Sequence, residues 1–213
     1  RNCFKTMSSQ SQLFEPLQIR GVSLPNRLVI SPMCQYSADD GLANDWHLAH
    51  LGKLAQGGAA VVFTEAVAVQ RRGRITHGDL GIWADAQAQA LAGIARFISS
   101  MGSVPAIQLA HAGRKASMQR PWHGNGPLDD SDRARGDEPW PVVGPSAIAL
   151  GEGWLVPSEM TPTEIAQVVE DFAAAARRAD NAGFGIAEVH AAHGYLAASF
   201  LSPISNHRTD IYS

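Results

Sequence analysis

Short apolar runs alternate with segments of helical period along most of this chain. Leu28-Val29-Ile30-Ser31, Ala60-Val61-Val62-Phe63-Thr64, Ala106-Ile107-Gln108-Leu109 and Ile186-Ala187-Glu188-Val189 read as four buried strands. Between the first two, Trp46, Leu48, Leu51, Leu54 and Ala55 recur at helical spacing from about Asp45 and stop at Gly57-Gly58. Asp85 is the expected N-cap of the next helix, with Leu91, Ile94, Ala95 and Ile98 on one face and Gly102 at its end. Thr161-Pro162-Thr163-Glu164 is a capping box with Pro at the first helical position. Ile165, Val168, Val169 and Phe172 follow at helical spacing, and Gly183 supplies a left-handed stop. Strands alternating with helices predict βαβ units, a parallel sheet and the α/β class. Leu17 to Leu24 reads as a small hairpin turning at Arg20-Gly21, suited to cap one end of a barrel.

Residues 111–160 break this rhythm. They are rich in Gly, Pro and charge, carry Trp122, Trp140 and Trp154, and read as one long loop. A loop of that length leaving the ligand-binding edge of the strands points to function; a surface excursion is the alternative.

Composition narrows the classes. The 213 residues are 45% hydrophobic with net charge −3, enough for one domain with a sizeable core. Basic residues are scattered, so there is no nucleic-acid or membrane-surface footprint. No apolar run reaches transmembrane length. Cys3 and Cys34 are too few for a disulfide framework, so a reducing cytoplasm is expected. Met7-Ser8-Ser9-Gln10 reads as a native start with Arg1 to Thr6 upstream. Residues 1–12 are read as an N-terminal extension, expected to be disordered.

Candidate chemistry gathers where strands end. His190-Ala191-Ala192-His193-Gly194-Tyr195 follows the fourth strand directly, on the edge where parallel α/β proteins bind ligands. Two imidazoles can hold charge developing on a carbonyl or nitro oxygen, and a phenol can deliver a proton. A zinc pair or two packed histidines remain alternatives. Ser31-Pro32-Met33-Cys34-Gln35-Tyr36, Phe63-Thr64-Glu65-Ala66 and Gln108 to Lys115 lie at the other strand ends. His47 and His50, one helical turn apart, have no third ligand at matching spacing and read as packing or surface residues. Arg71-Arg72-Gly73-Arg74 reads as a solvated loop, His111 and Arg114 as structural. Glu188 in an apolar strand needs a partner.

These motifs together resemble the Old Yellow Enzyme family of flavin-dependent ene-reductases, the xenobiotic-reductase branch in particular. The marks are Ser-Pro-Met-Cys-x-Tyr at 31–36, Gly-Arg-Ile-Thr at 73–76, Asp-Leu-Gly-Ile-Trp at 79–83 and Gln-Leu-Ala-His-Ala-Gly-Arg-Lys at 108–115. His-Ala-Ala-His-Gly-Tyr-Leu at 190–196 and Leu-Ser-Pro-x-Ser-Asn-x-Arg-Thr-Asp at 201–210 complete them. The resemblance implies a TIM (β/α)8 barrel binding FMN at its C-terminal mouth and reducing activated alkenes with NADPH or NADH by ping-pong transfer. It implies that Ser31, Pro32, Met33 and Cys34 line the flavin, with Cys34 tuning its potential. Ala66 packs beside the ring and Gln108 bonds its pyrimidine edge. His190 and His193 grip the substrate oxygen, with His190 also at the cofactor. Tyr195 is the proton donor, Tyr36 a second hydroxyl and Lys115 a neighbour at the mouth. No metal is implied.

The pattern covers about the first four β/α units, half a barrel, over residues 13–213. After Asp210 the family continues Glu-Tyr-Gly-Gly, whereas this chain reads Ile211-Tyr212-Ser213. This reads as a truncation that lacks the family's FMN-phosphate nest. Open sheet edges then predict a homo-oligomer or a complementing C-terminal half, and a non-catalytic half barrel is the alternative function.

Overall fold

The computed structural model describes residues 11–213, so the expectations for Arg1 to Gln10, including the start at Met7, lie outside the described residues. A single 3-10 turn, Gln12–Phe14, leads into the hairpin of β1 (Leu17–Ile19) and β2 (Val22–Leu24). The strands pair antiparallel with Leu17 opposite Leu24, and Arg20 takes the left-handed turn position at φ 51°. Leu24 is buried with Ala60, Val61 and Ala106, and Val104 and Ile186 pack around them. The hairpin therefore seals the N-terminal end of the main sheet, away from the candidate mouth.

That sheet begins with β3 (Val29–Ile30). α1 (Asp45–Gln56) then crosses to β4 (Val61–Ala68), and α2 (Asp85–Ser100) to β5 (Val104–Ala110). The next segment holds α3 (Asp130–Ala134), β6 (Val143–Gly144) and β7 (Ser158–Glu159). α4 (Pro162–Asn181) leads to β8 (Ile186–Val189), and α5 (Leu196–Phe200) follows. The sheet order is β3-β4-β5-β8, parallel throughout. The chain thus forms about half of a (β/α)8 barrel. Its core lies between the sheet and α1, α2 and α4, and includes Leu51, Val62, Leu91, Ile94, Ile98 and Ile107. Each fully buried Leu or Ile contributes roughly 1.5–3 kcal/mol.

Several local expectations change. β4 runs past Thr64 to Ala68, because a register shift between Phe63 and Ala66 lets pairing restart beyond Glu65. The N-cap of α2 is Ala84, whose N–H donates to Gln87 Oε1 at 2.8 Å. Asp85 is instead the first helical residue and pairs with Arg178 at 2.8 Å. The box on α4 forms as read: Glu164 N donates to Thr161 Oγ1 at 3.2 Å, and Thr161 N to Glu164 Oε2 at 2.9 Å. Val169 is exposed, so the buried stripe of α4 is narrower than its periodicity suggested.

Residues 111–160 are not structureless. They are organised around buried polar contacts, such as Gln119 Nε2 donating to Asp132 Oδ2 at 2.7 Å. Arg120 and Asp137 form an ion pair there. Arg74 is not solvated either. Its buried guanidinium lies 5.6 Å from the Trp83 ring centroid and 5.2 Å from that of Trp140.

Candidate functional site

The mouth is assembled at the C-terminal ends of the four parallel strands. Beyond β3 the chain runs through Ser31 and Met33, both exposed, and Pro32, half-buried, to Cys34 and Tyr36. Two contacts fix this segment. Gln35 N donates to Glu65 Oε2 at 3.2 Å, and Ala38 N to Gly78 O at 2.8 Å. Gly78 is required, since a Cβ there would lie 2.2 Å from the Tyr36 carbonyl oxygen. Cys34 packs against the small cluster around Ala66. Tyr36 holds φ 53°, a left-handed conformation rare for an aromatic residue, and the Trp122 ring meets it edge-on at 5.9 Å.

The other half comes from β5 and β8. Gln108 pairs in register with Ala66 on one side and Glu188 on the other, and its Nε2 donates to Glu188 Oε1 at 2.7 Å. This names the partner that Glu188 required. His190 N donates to Leu109 O at 2.8 Å, extending the ladder one residue past β8. The chain then turns through His193 (φ 54°) and Gly194 (φ 71°), and Lys115 Nζ donates to the His193 carbonyl. His190 and His193 meet edge to face at 5.1 Å, His190 and Tyr195 at 4.8 Å. Lys115 Nζ lies 5.8 Å from the Tyr195 ring centroid. Tyr195 packs against the same cluster as Cys34.

Burial governs the titration of this cluster. It pushes the Cys34 thiol up to about 12, with help from Asp79 and then Glu65. It pushes the Tyr195 phenol up to about 12, with Cys34 and Asp79 adding to it, and raises Tyr36 as well. It lowers His190, and His193 beside it lowers it further, which favours the neutral imidazole. Near neutral pH the thiol and both phenols therefore hold their protons.

Cys34, Tyr36, Ala66, His190, His193 and Tyr195 are thus brought to one place, with Gln108 in register beside Ala66. Ser31, Pro32 and Met33 lie on the segment that leads from β3 into it. The sequence reading missed Asp79, a fully buried carboxylate that accepts from Ile75 N (2.7 Å), Thr76 N (3.2 Å) and Thr76 Oγ1 (2.7 Å). Burial pushes its carboxyl up to about 7. It also missed Glu65, whose signal was an acid inside an apolar strand. His47 is buried against Glu65. His111 is buried between Gln70 and Gly113, and Arg114 donates to the Ile148 and Ala149 carbonyls. Among the described residues, no group of three or more His, Cys, Asp and Glu is arranged to hold a metal ion, and no helix is long and apolar enough to cross a membrane.

The fold is half of an α/β barrel, and its candidate mouth at the C-terminal strand ends carries groups suited to proton and hydrogen-bond chemistry. The chain belongs to the NADH:flavin oxidoreductase / NADH oxidase family, whose sequence model matches residues 12–213. It is 48% identical over 206 residues to a NADH:flavin oxidoreductase of Gibberella zeae, covering 96% of this chain and 49% of that protein. It is 46% identical over 204 residues to an NADPH dehydrogenase of Listeria welshimeri, covering 95% of this chain and 54% of the relative. An Old Yellow Enzyme from Pichia superposes with TM-score 0.81 at 28% identity, over 96% of this chain and 52% of that one. Morphinone reductase superposes with TM-score 0.79 at 29% identity, over 97% and 55%. The chain spans about half the length of the curated relatives it matches.

Proposed function

We propose that this chain supplies the first half of the catalytic mouth of an FMN-dependent ene-reductase. The enzyme reduces activated alkenes, either α,β-unsaturated carbonyl or nitro compounds, with NADPH or NADH in a ping-pong sequence. One observation carries this reading: His190, His193 and Tyr195 converge ring to ring beside Cys34 and Tyr36, at the C-terminal edge of a parallel sheet. The residues suit a flavin. Ala66 offers only a methyl group, so a flat ring can lie against it. Gln108, tethered through Nε2 to Glu188, keeps its carbonyl oxygen without a hydrogen-bond partner among the described residues. That donor–acceptor set matches the polar edge of an isoalloxazine, and Ser31, Pro32, Met33 and Cys34 offer backbone along its face.

A bound FMN would supply the hydride chemistry between NAD(P)H and the β-carbon of the alkene. His190 and His193 donate N–H groups to the substrate oxygen as charge builds on it. The lowered His190 does so as a neutral donor. Tyr195 holds its proton far above neutral pH and releases it only to the α-carbon. Tyr36 offers a second hydroxyl on the same side. The two-cysteine composition, with Cys34 free, suits a cytoplasmic setting.

The test is Tyr195→Phe in two half-reactions. Alkene reduction is expected to slow by about 10²-fold or more, with flavin reduction by NAD(P)H within about twofold. Equal effects on both, or on neither, would remove Tyr195 as proton donor.

A second reading is a non-catalytic half barrel that self-associates or takes a complementing chain. It is favoured by β3 and β8, which have one strand neighbour each, and by the exposed Val29 and Val189 on them. Titrating the purified chain with FMN alongside light scattering separates the two. A perturbed flavin absorption band supports the first, and a flavin-indifferent oligomer the second.

A further inference from the structure

Glu65 is an acid inside a buried strand, and its side chain is 1% exposed. One oxygen, Oε2, accepts from Gln35 N at 3.2 Å. The other, Oε1, faces His47 Nε2 at 3.3 Å, and the His47 side chain is also 1% exposed. Neither of those two atoms has a hydrogen-bond partner among the described residues, so their contact is a close approach at ion-pair distance. His47 Nδ1 lies 3.1 Å from both Asn44 N and Asn44 Oδ1, which ties the ring to the N-cap of α1. A connected series results: the first turn of α1, His47, Glu65 on β4, then the backbone between Cys34 and Tyr36. A buried carboxylate on an apolar strand is costly unless polar groups approach it, and here Gln35 N and the His47 ring do so. The bond to Gln35 ties that requirement to the one segment that carries both the thiol and the left-handed Tyr36.

We infer that Glu65 and His47 are positioning residues that hold the Cys34–Tyr36 segment in place at the mouth. The inference rests on the proposed site, but its geometry can be tested without flavin or turnover. The titratable groups that act on the Cys34 thiol are Asp79, Glu65, Tyr36 and Tyr195. Of these, Glu65 alone also bonds the segment's backbone.

The experiment measures alkylation of Cys34 in a Cys3→Ser background of the full chain, across pH. Glu65→Leu removes the acceptor of Gln35 N together with the charge, and Glu65→Gln, which keeps the acceptor, is the control for charge alone. Glu65→Leu is expected to raise the alkylation rate near pH ~8 by at least about threefold over Glu65→Gln, with the far-UV spectrum unchanged. Equal rate profiles for the two variants would overturn the inference. Hydrogen exchange on the parent decides the matter if Glu65→Leu does not fold. The Gln35 amide is expected to be protected with the core of β4, and exchange at the rate of an exposed loop would refute its bond to Glu65. Loss of flavin binding in the parent would count against the functional proposal and leave both readouts standing.

Discussion

Replacing His111 by Asn should change how stability depends on pH. His111 is buried at 1% exposure under the first turn beyond β5. Its Nδ1 accepts from Gly113 N at 3.0 Å, and its Nε2 lies 3.1 Å from Gln70 Oε1. The proton therefore sits on Nε2, and protonating Nδ1 would set it against the Gly113 N–H. Burial, and after it the nearby Arg72 guanidinium, pushes the imidazole down to about 3. The unfolded chain binds a proton near the ordinary value of about 6.5, while the folded chain does not until about 3. The stability His111 contributes is thus fully present above about 6.5 and is lost as pH falls toward 3. At about 1.36 kcal/mol per pH unit, the loss reaches roughly 3 kcal/mol by pH ~4. Asn can still accept from Gly113 and does not titrate. The variant should be less stable at neutral pH, by about 2–4 kcal/mol for the vacated volume and the lost Gln70 bond. The gap should then close by roughly 3 kcal/mol between pH ~7 and ~4. Urea unfolding followed by tryptophan fluorescence at several pH values reads this directly, and other titrating groups cancel in the difference. Parallel stability curves for parent and variant would refute the assignment. If the variant is too unstable to measure, an NMR titration of the parent imidazole with a midpoint near 6.5 would do the same.

Asp79 carries the opposite sign. Its carboxyl, raised to about 7, keeps a proton that the unfolded chain releases above about 4, so stability falls as pH rises through that window. Asp79→Asn should flatten this slope in the same urea series. Gly78→Ala should cost at least about 1–3 kcal/mol, because its Cβ meets the Tyr36 carbonyl oxygen and the backbone must move. Thermal melting reads that cost, and an unshifted melting temperature would contradict the close approach. Thr161→Ala should cost about 1 kcal/mol through loss of the reciprocal cap on α4. A loss confined to helix content, with no change in melting, would not fit.

The sequence by itself determined whatever depends on neighbours along the chain. The capping box at Thr161 and Glu164, the stop at Gly183, the apolar face of α2 and the limits of β8 are local patterns of spacing and dihedral preference, so they were legible. The motif residues at successive strand ends were legible for a related reason: a parallel sheet carries all its strand ends to one edge whatever the loops do. Only the tertiary structure decided which side chains meet across that edge. Glu188 finds Gln108 across 80 positions, Arg74 settles between Trp83 and Trp140, and Glu65 finds His47 on another element. The same holds for the bulge that carries β4 past Glu65, because strand registry is fixed by a partner far away in sequence. A lone charge in an apolar run shows that a partner is needed. Its identity depends on packing, because the cost of burying that charge is offset only by whichever group the fold places within hydrogen-bond reach.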